Sequence, residues 1–358
     1  MPRLLILCEY PTLLGGERSM LAVLPAVASA GFDVHIAAPP IGPLADAIRE
    51  RGVRLVAWCG RAELPRVIAG VKPDLVHANS LSTARISGPV VSNLGLPSVG
   101  HIRDIVKLSA QAVADVNCHR RLVAVSRATL NFHVAQGIDA KKCLAIHNGV
   151  DLEEFAPRPA TGYLHRELGL PADARLVAVI GQIGLRKGTD VALAAAQQVL
   201  ANVPDVRWLV VGERTSDKAE AIEFERQLHA AAGEPPLAGL VHFLGTRSDV
   251  PQILNECRLL VHAARQEPLG RVLLEAAACG LAVVATDAGG TREIFPAAAG
   301  AVLVPVDDAA AMATATIDLL RDDSRRESLA RAGRRRAETA FNVATAAARL
   351  INKYSEIT

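Results

Sequence analysis

The strongest constraint on how this chain folds is a rhythm. Short apolar runs rich in Val, Ile and Leu recur along it, each followed by a helical or turn-bearing stretch. In the first half these runs cover residues 4–8, 34–38, 53–57, 75–78, 98–101, 122–125 and 143–147. In the second half they cover 176–180, 207–211, 241–244, 259–262, 282–286 and 301–304. Between them, helical patterns fall at 17–30, 189–202, 218–232, 250–256, 271–279 and 309–320. Such alternation predicts an α/β fold with parallel sheets covered by helices on both faces. The rhythm breaks around 157–171, where Pro157, Pro159, Gly162 and Pro171 cluster, and a linker is expected there. Two similar domains follow, spanning 1–160 and 161–340, and the cleft between such domains is the expected site.

A chain of 358 residues can bury two sizeable cores, and with only 3% aromatic residues those cores must be filled by Ala, Val and Leu. Lys+Arg 39 against Asp+Glu 37 leaves a net charge of +2, too balanced for a nucleic-acid binder. The six cysteines (Cys8, Cys59, Cys118, Cys143, Cys257, Cys279) form no C-x-x-C pair and read as buried thiols of a reducing compartment. The start, with Glu9 close behind a short apolar run, does not read as a signal peptide, and no apolar run approaches membrane-spanning length. A cytoplasmic protein is expected. Residues 321–340 are helical and Arg-rich. A solvated face explains them, and a surface for anionic lipid, which would make the protein peripheral to the membrane, is the sharper alternative.

Three stretches have the residue types that anion chemistry needs. Gln266-Glu267-Pro268-Leu269-Gly270 is a carboxylate-bearing turn that opens an Ala/Leu-rich helix ending near Gly280. The start of such a helix offers unpaired N–H groups and a dipole that favour an anion. Glu275, one turn further on, stands among apolar neighbours, where a carboxylate needs a hydrogen-bonding partner such as a polyol. The plainer reading makes Glu267 a solvated turn residue and pairs Glu275 with Arg271 at i, i+4 on an exposed face. Gly181-Gln182-Ile183-Gly184-Leu185-Arg186-Lys187-Gly188 places two cations before a helix, where they oppose its dipole unless an anion joins them. It is not a P-loop, because Gly188 and not Ser or Thr follows Lys187. Gly15-Gly16-Glu17, after the first strand, lets the backbone approach a phosphate, although any tight turn would use it as well. His101 ends a strand, and Asp104 is placed either to orient it or to cap a helix. No D-x-D or H-E-x-x-H occurs, so a metal site is not expected.

Together these residues resemble the retaining family-four glycosyltransferases of the GT-B fold. The strongest element is the E-x7-E motif from Glu267 to Glu275. It is supported by Gly15-Gly16-Glu17, His101, Ser126, Asn148-Gly149-Val150-Asp151, Lys187-Gly188, Val211-Gly212-Glu213 and Phe243-Leu244-Gly245. The resemblance implies a nucleotide-sugar co-substrate, UDP- or GDP-linked, with no other cofactor and no metal. It also implies a hydroxyl acceptor on a saccharide, a lipid-linked glycan or a small molecule. Residues 341–358 resemble the family's last helix, which crosses back onto the N-terminal domain. Glu275 would hold the ribose, and Glu267 would hydrogen-bond the transferred sugar. The amides of Leu269, Gly270 and Arg271 would hold phosphate or sugar oxygens, Lys187 would neutralise the diphosphate, and Gly16 would meet it from the other domain. His101 would face the sugar near its 6-position, and the backbone around Thr246 and Arg247 would line the base pocket. Many relatives carry Arg where this chain has Gln182, and Arg186 is the available substitute cation. An epimerase reusing the donor half of the site is one alternative; a weakly catalytic nucleotide-sugar-binding subunit, motivated by Gln182, is another.

Overall fold

The computed structural model describes residues 1–358, the side chain of Ala298 excepted. The chain divides into two compact units, Met1–Gly149 with Phe341–Thr358, and Val150–Ala340.

The first unit is built on seven parallel strands: β1 (Arg3–Leu7), β2 (Asp33–Ala38), β3 (Arg54–Ala57), β4 (Leu75–Ala78), β5 (Ser98–Ile102), β6 (Arg121–Ala124) and β7 (Cys143–Ala145). Their order across the sheet is β3-β2-β1-β4-β5-β6-β7. The order reverses between β1 and β4, so the connections beyond these two strands leave on opposite faces and open a crevice at the carboxyl edge. The inner strands are buried along their length because helices cover both faces, which is why they read as unbroken apolar runs. One core gathers Leu4, Ile6, Met20, Leu24, Ile36 and Leu44. The last helix, Val343–Ser355, joins this core through Ala347, Leu350 and Tyr354, packed edge-on against Phe32 at 5.6 Å.

The second unit repeats the plan with β8 (Arg175–Ile180), β9 (Val206–Val211), β10 (Val241–Phe243), β11 (Leu259–His262), β12 (Ala282–Thr286) and β13 (Ala301–Val304). The order is β10-β9-β8-β11-β12-β13, all parallel, with its reversal between β8 and β11. Its core is Val-, Leu- and Ala-rich around a fully buried Trp208.

The expected linker is not one. The backbone passes from one unit to the other at Gly149–Val150, and a helix, Tyr163–Leu168, occupies the Pro-rich stretch. The reason is a set of anchors within the second unit. Buried Glu256 accepts from the backbone N–H groups of Thr161 (2.6 Å) and Gly162 (2.9 Å), and Asn255 bridges Ala156 and Arg158. Pro and Gly there shape turns that are held down.

Candidate active site

In the second unit, the turning point of the sheet brings together two loops that are far apart in sequence. The loop after β8 ends in a single turn of 3-10 helix, Leu185–Lys187, and Gly188 then turns the chain into the helix Thr189–Asn202. Gly188 has φ +64, and a Cβ there would lie 2.0 Å from the carbonyl oxygen of Ala263, just past β11. Only glycine lets these loops close on each other. Arg265 then ties them: its guanidinium donates to Asp190 (2.7 and 2.9 Å), to Asp307 (2.6 Å) and to the Leu185 carbonyl (2.8 Å). The Arg265 backbone N–H donates to the Arg186 carbonyl at 2.9 Å.

Glu267 is buried, at 4% exposure, at the centre of this arrangement. Its Oε2 accepts from Lys187 Nζ at 2.5 Å and from His262 Nε2 at 2.8 Å. Burial pushes the carboxyl pKa up, but the Lys187 ammonium and the His262 hydrogen bond outweigh it and hold the group well below the usual carboxylate range. Burial also lowers the pKa of His262, against the pull of Glu267, so His262 donates as a neutral ring. The next residues lead into the helix Arg271–Ala278, entered through Gly270 at φ +102. The backbone N–H groups of Leu269 and Gly270 donate to no described group. Gly290 braces this turn from β12's side: its N–H donates to the Glu267 carbonyl at 2.8 Å, and a Cβ there would stand 2.5 Å from the Pro268 oxygen.

Glu275 accepts from Arg271 Nε at 2.5 Å, the i, i+4 pair expected from spacing. The exposed face expected for that pair is corrected, since Glu275 is 8% exposed among Leu273, Leu274 and Ala276–Ala278. The helix packs against the rest of the unit on that side and covers the pair. Arg186 Nη1 lies 3.5 Å from the Gln266 carbonyl, and half-buried Gln182 follows β8 between Gly181 and Ile183. Thr246 and Arg247 follow β10, three strands from β11, yet share this rim through Gly212, whose N–H donates to the Gly245 carbonyl at 2.8 Å. The Thr246 hydroxyl donates to Glu213 (3.1 Å). The Arg247 side chain is engaged by Glu167 and Asp249.

In the first unit, a second polar centre lies beyond β1, β4 and β5. Gly16 stands in the first turn of the helix Gly15–Ser29, and a Cβ there would meet Arg103 Cδ at 3.2 Å. Arg103 donates to the Asn79 carbonyl (2.8 Å), Asn79 Oδ1 (2.8 Å) and Asn148 Oδ1 (3.0 Å), and its Nη2 lies 3.1 Å from His101 Nδ1. His101, buried in β5, also faces His77 Nε2 at 3.3 Å. Asp104 does not orient His101. It is exposed, and its backbone oxygen takes the hydrogen bond of His133 at 2.8 Å. The residues that sequence reading missed are Arg103, His77, Asn79 and Tyr354 here, and His262, Arg265 and Gly290 in the second unit. A signal existed for Arg103: two residues after His101 in extended chain, it shares that residue's face.

Among the described residues no group of three or more His, Cys, Asp or Glu gathers as metal ligands, and no helix is long and apolar enough to cross a membrane.

The chain is similar in sequence and fold to known glycosyltransferases. A family described as Glycosyltransferase Family 4 matches residues 14–154, and one described as Glycosyl transferases group 1 matches residues 163–336. A phosphatidyl-myo-inositol mannosyltransferase of Mycolicibacterium smegmatis is 37% identical over 206 residues, 56% of this chain and 48% of that protein. A D-inositol 3-phosphate glycosyltransferase of Catenulispora acidiphila is 27% identical over 355 residues, 88% of this chain and 82% of that protein. The chain spans about half the length of curated relatives it matches, 48% of that mannosyltransferase and 53% of a D-inositol 3-phosphate glycosyltransferase of Xylanimonas cellulosilytica. Among solved structures, Anabaena Alr3699/HepE, crystallised with UDP and glucose, superposes with a TM-score of 0.89 at 22% identity, covering 99% of this chain and all (100%) of that one. That likeness shows the fold, GT-B, with its two parallel sheets.

Proposed function

The chain belongs to the glycosyltransferases of group 1 and family 4, and from that premise we propose that it moves a sugar from a UDP- or GDP-sugar to a hydroxyl acceptor with retention of configuration. The observation that supports this most directly is the pairing of half-buried Lys187 with buried Glu267 at the turning point of the second sheet, beside a helix start. In open α/β sheets this is where ligands bind. A cation there, with the amides of Leu269, Gly270 and Arg271, suits a diphosphate.

Breaking the anomeric C–O bond sends its electron pair to the departing nucleoside diphosphate and leaves positive character on the sugar. Lys187 and the helix-start amides stabilise that departing charge, and being fixed beforehand they need no reorganisation. The acceptor oxygen bonds to the anomeric carbon on the face the diphosphate leaves, and its proton passes to a diphosphate oxygen. Glu267, already held by Lys187 and His262, hydrogen-bonds sugar hydroxyls and is not the nucleophile. Glu275 holds the ribose, the Thr246–Arg247 backbone lines the base, Gln182 and Arg186 flank the diphosphate, and Gly16 and His101 belong to the same reaction from the first unit. The protein acts in the cytoplasm, as a soluble or membrane-peripheral enzyme.

A thermal-shift screen against UDP- and GDP-sugars, followed by transfer of labelled sugar, tests this. A ligand that binds only the folded form raises the melting temperature. Inositol phosphates, phosphatidylinositol and saccharides form the acceptor panel, the first two because inositol appears in the names of the relatives. Label appearing in acceptor, only when acceptor is present, supports a transferase. An epimerised donor formed without acceptor, or no shift with any nucleotide sugar, contradicts it.

A further inference from the structure

The polar centre of the first unit contains a logic of protons that bears on how His101 works. A guanidinium has five N–H donors and no acceptor. Arg103 Nη2, 3.1 Å from His101 Nδ1, therefore requires that nitrogen to offer its lone pair, and the His101 ring proton is left on Nε2. The same lone pair faces His77 Nε2 at 3.3 Å, so His77 carries its own proton there. His77 Nδ1 is then an acceptor, and its neighbour is the hydroxyl of Tyr354, which donates to it from the last helix. Every link points the same way, toward His101. The line ends at His101 Nε2, which is buried and has no partner among the described residues.

Protonating these rings is disfavoured. Burial, then the Arg103 charge, lowers the pKa of His77 to about 3, and burial, Arg103 and His77 hold His101 well below 6.5. Arg103, itself lowered by burial to about 10, stays cationic at neutral pH.

We propose that Arg103, supported by His77 and Tyr354, is a positioning residue that holds His101 protonated on Nε2, so that His101 donates a hydrogen bond to a substrate oxygen and takes no proton from the acceptor. This rests on the reading that His101 faces the sugar. It explains why a strand-end histidine beside an arginine is useful: the imidazole acts as a directed N–H, a role that a mixture of tautomers would halve. It also leaves the acceptor's proton to a group other than His101, as the diphosphate route proposed above has it.

The test needs no substrate for its first arm. In protein labelled with nitrogen-15 histidine, long-range proton–nitrogen correlations read the tautomer of each ring, assigned by loss of signals in His101→Ala and His77→Gln. The expected result is His101 with Nε2 protonated and Nδ1 bare. Arg103→Met is expected to mix the tautomers and to lower kcat by about tenfold or more, with a smaller change in donor KM, read as UDP release from UDP-glucose and GDP release from GDP-mannose. His77→Gln, whose amide nitrogen reproduces the Nε2 donor, is expected to keep the tautomer and most of kcat, whereas His77→Leu is not. Should Arg103→Met fail to fold, the wild-type tautomer and the Tyr354→Phe variant, expected to shift the His77 nitrogen signals, still decide. A wild-type His101 protonated on Nδ1, or an Arg103→Met enzyme with unchanged tautomer and kcat, overturns the inference. Undiminished turnover in His101→Ala instead overturns the reading of the site, whatever the tautomer.

Discussion

In the first unit the crevice beyond β1, β4 and β5 holds imidazoles gathered around one arginine, whereas in the second the crevice beyond β8 and β11 holds a carboxylate clasped by an ammonium. Both sit where the strand order reverses, so topology fixes the place in each. The residues at the strand ends fix the chemistry. Neutral rings with directed N–H groups suit uncharged hydroxyls, which they can orient without paying for a second buried charge. A buried carboxylate paired with a half-buried cation beside a helix start suits a phosphate, because the cation is already aimed.

The largest effects should come from the ion pair. Lys187→Ala and Glu267→Ala should each cut transfer at least about 100-fold. Lys187→Ala should also destabilise the protein by about 3–5 kcal/mol in urea titration, because the buried Glu267 carboxylate loses its cation, and Glu267→Ala should cost less, because Lys187 is only half-buried. Near-normal turnover in both would erase the contrast between the units. A smaller but clear effect is expected from Gly290→Ala, whose Cβ collides with the Glu267–Leu269 turn; a loss of about 1–3 kcal/mol and weaker donor binding should appear together. Stability lost with donor affinity intact would separate that turn from the site.

Acid should distinguish the units next. Burial lowers the pKa of His77 to about 3 and of His119 to about 4 from an ordinary 6.5. A folded pKa below the unfolded one means the stability is present above 6.5 and is lost as pH falls from there toward those values. Glu267, lowered from 4.5, loses its contribution only below 4.5. Between the two, hydrogen exchange read by mass spectrometry should rise more in the first unit than in the second, where burial also lowers His262 and His242 from 6.5; equal loosening of both would contradict the assignment. The smallest effect is expected from Gln182→Arg, a gain in donor affinity of about threefold or less, since a half-exposed added charge is screened. A much larger gain would show that Arg186 does not stand in for it.

Much of this was legible in sequence, for definable reasons. Parallel strands buried on both faces leave unbroken apolar runs, so strands such as β1, β4, β8 and β11 were readable to within a residue or two. Glu267 and Lys187 were readable because a turn opening a helix marks each. Their pairing was not, as 80 residues separate them and only the strand order makes them neighbours. Arg265 was hidden for the same reason, since its partners Asp190 and Asp307 lie on other loops. Prolines at 157–171 announced turns but could not announce that Glu256, on the helix Val250–Glu256, would hold them. The Arg271–Glu275 pair followed from helical spacing, whereas its burial depended on what packs over the helix, which spacing does not encode.

The most direct measurement of the central claim is a calorimetric titration of the wild type and of Lys187→Ala with UDP- and GDP-sugars. The account predicts saturable one-to-one binding of one nucleotide sugar by the wild type, lost or weakened at least about tenfold in Lys187→Ala. Equal affinity in the two proteins, or no nucleotide sugar bound by the wild type, would contradict it.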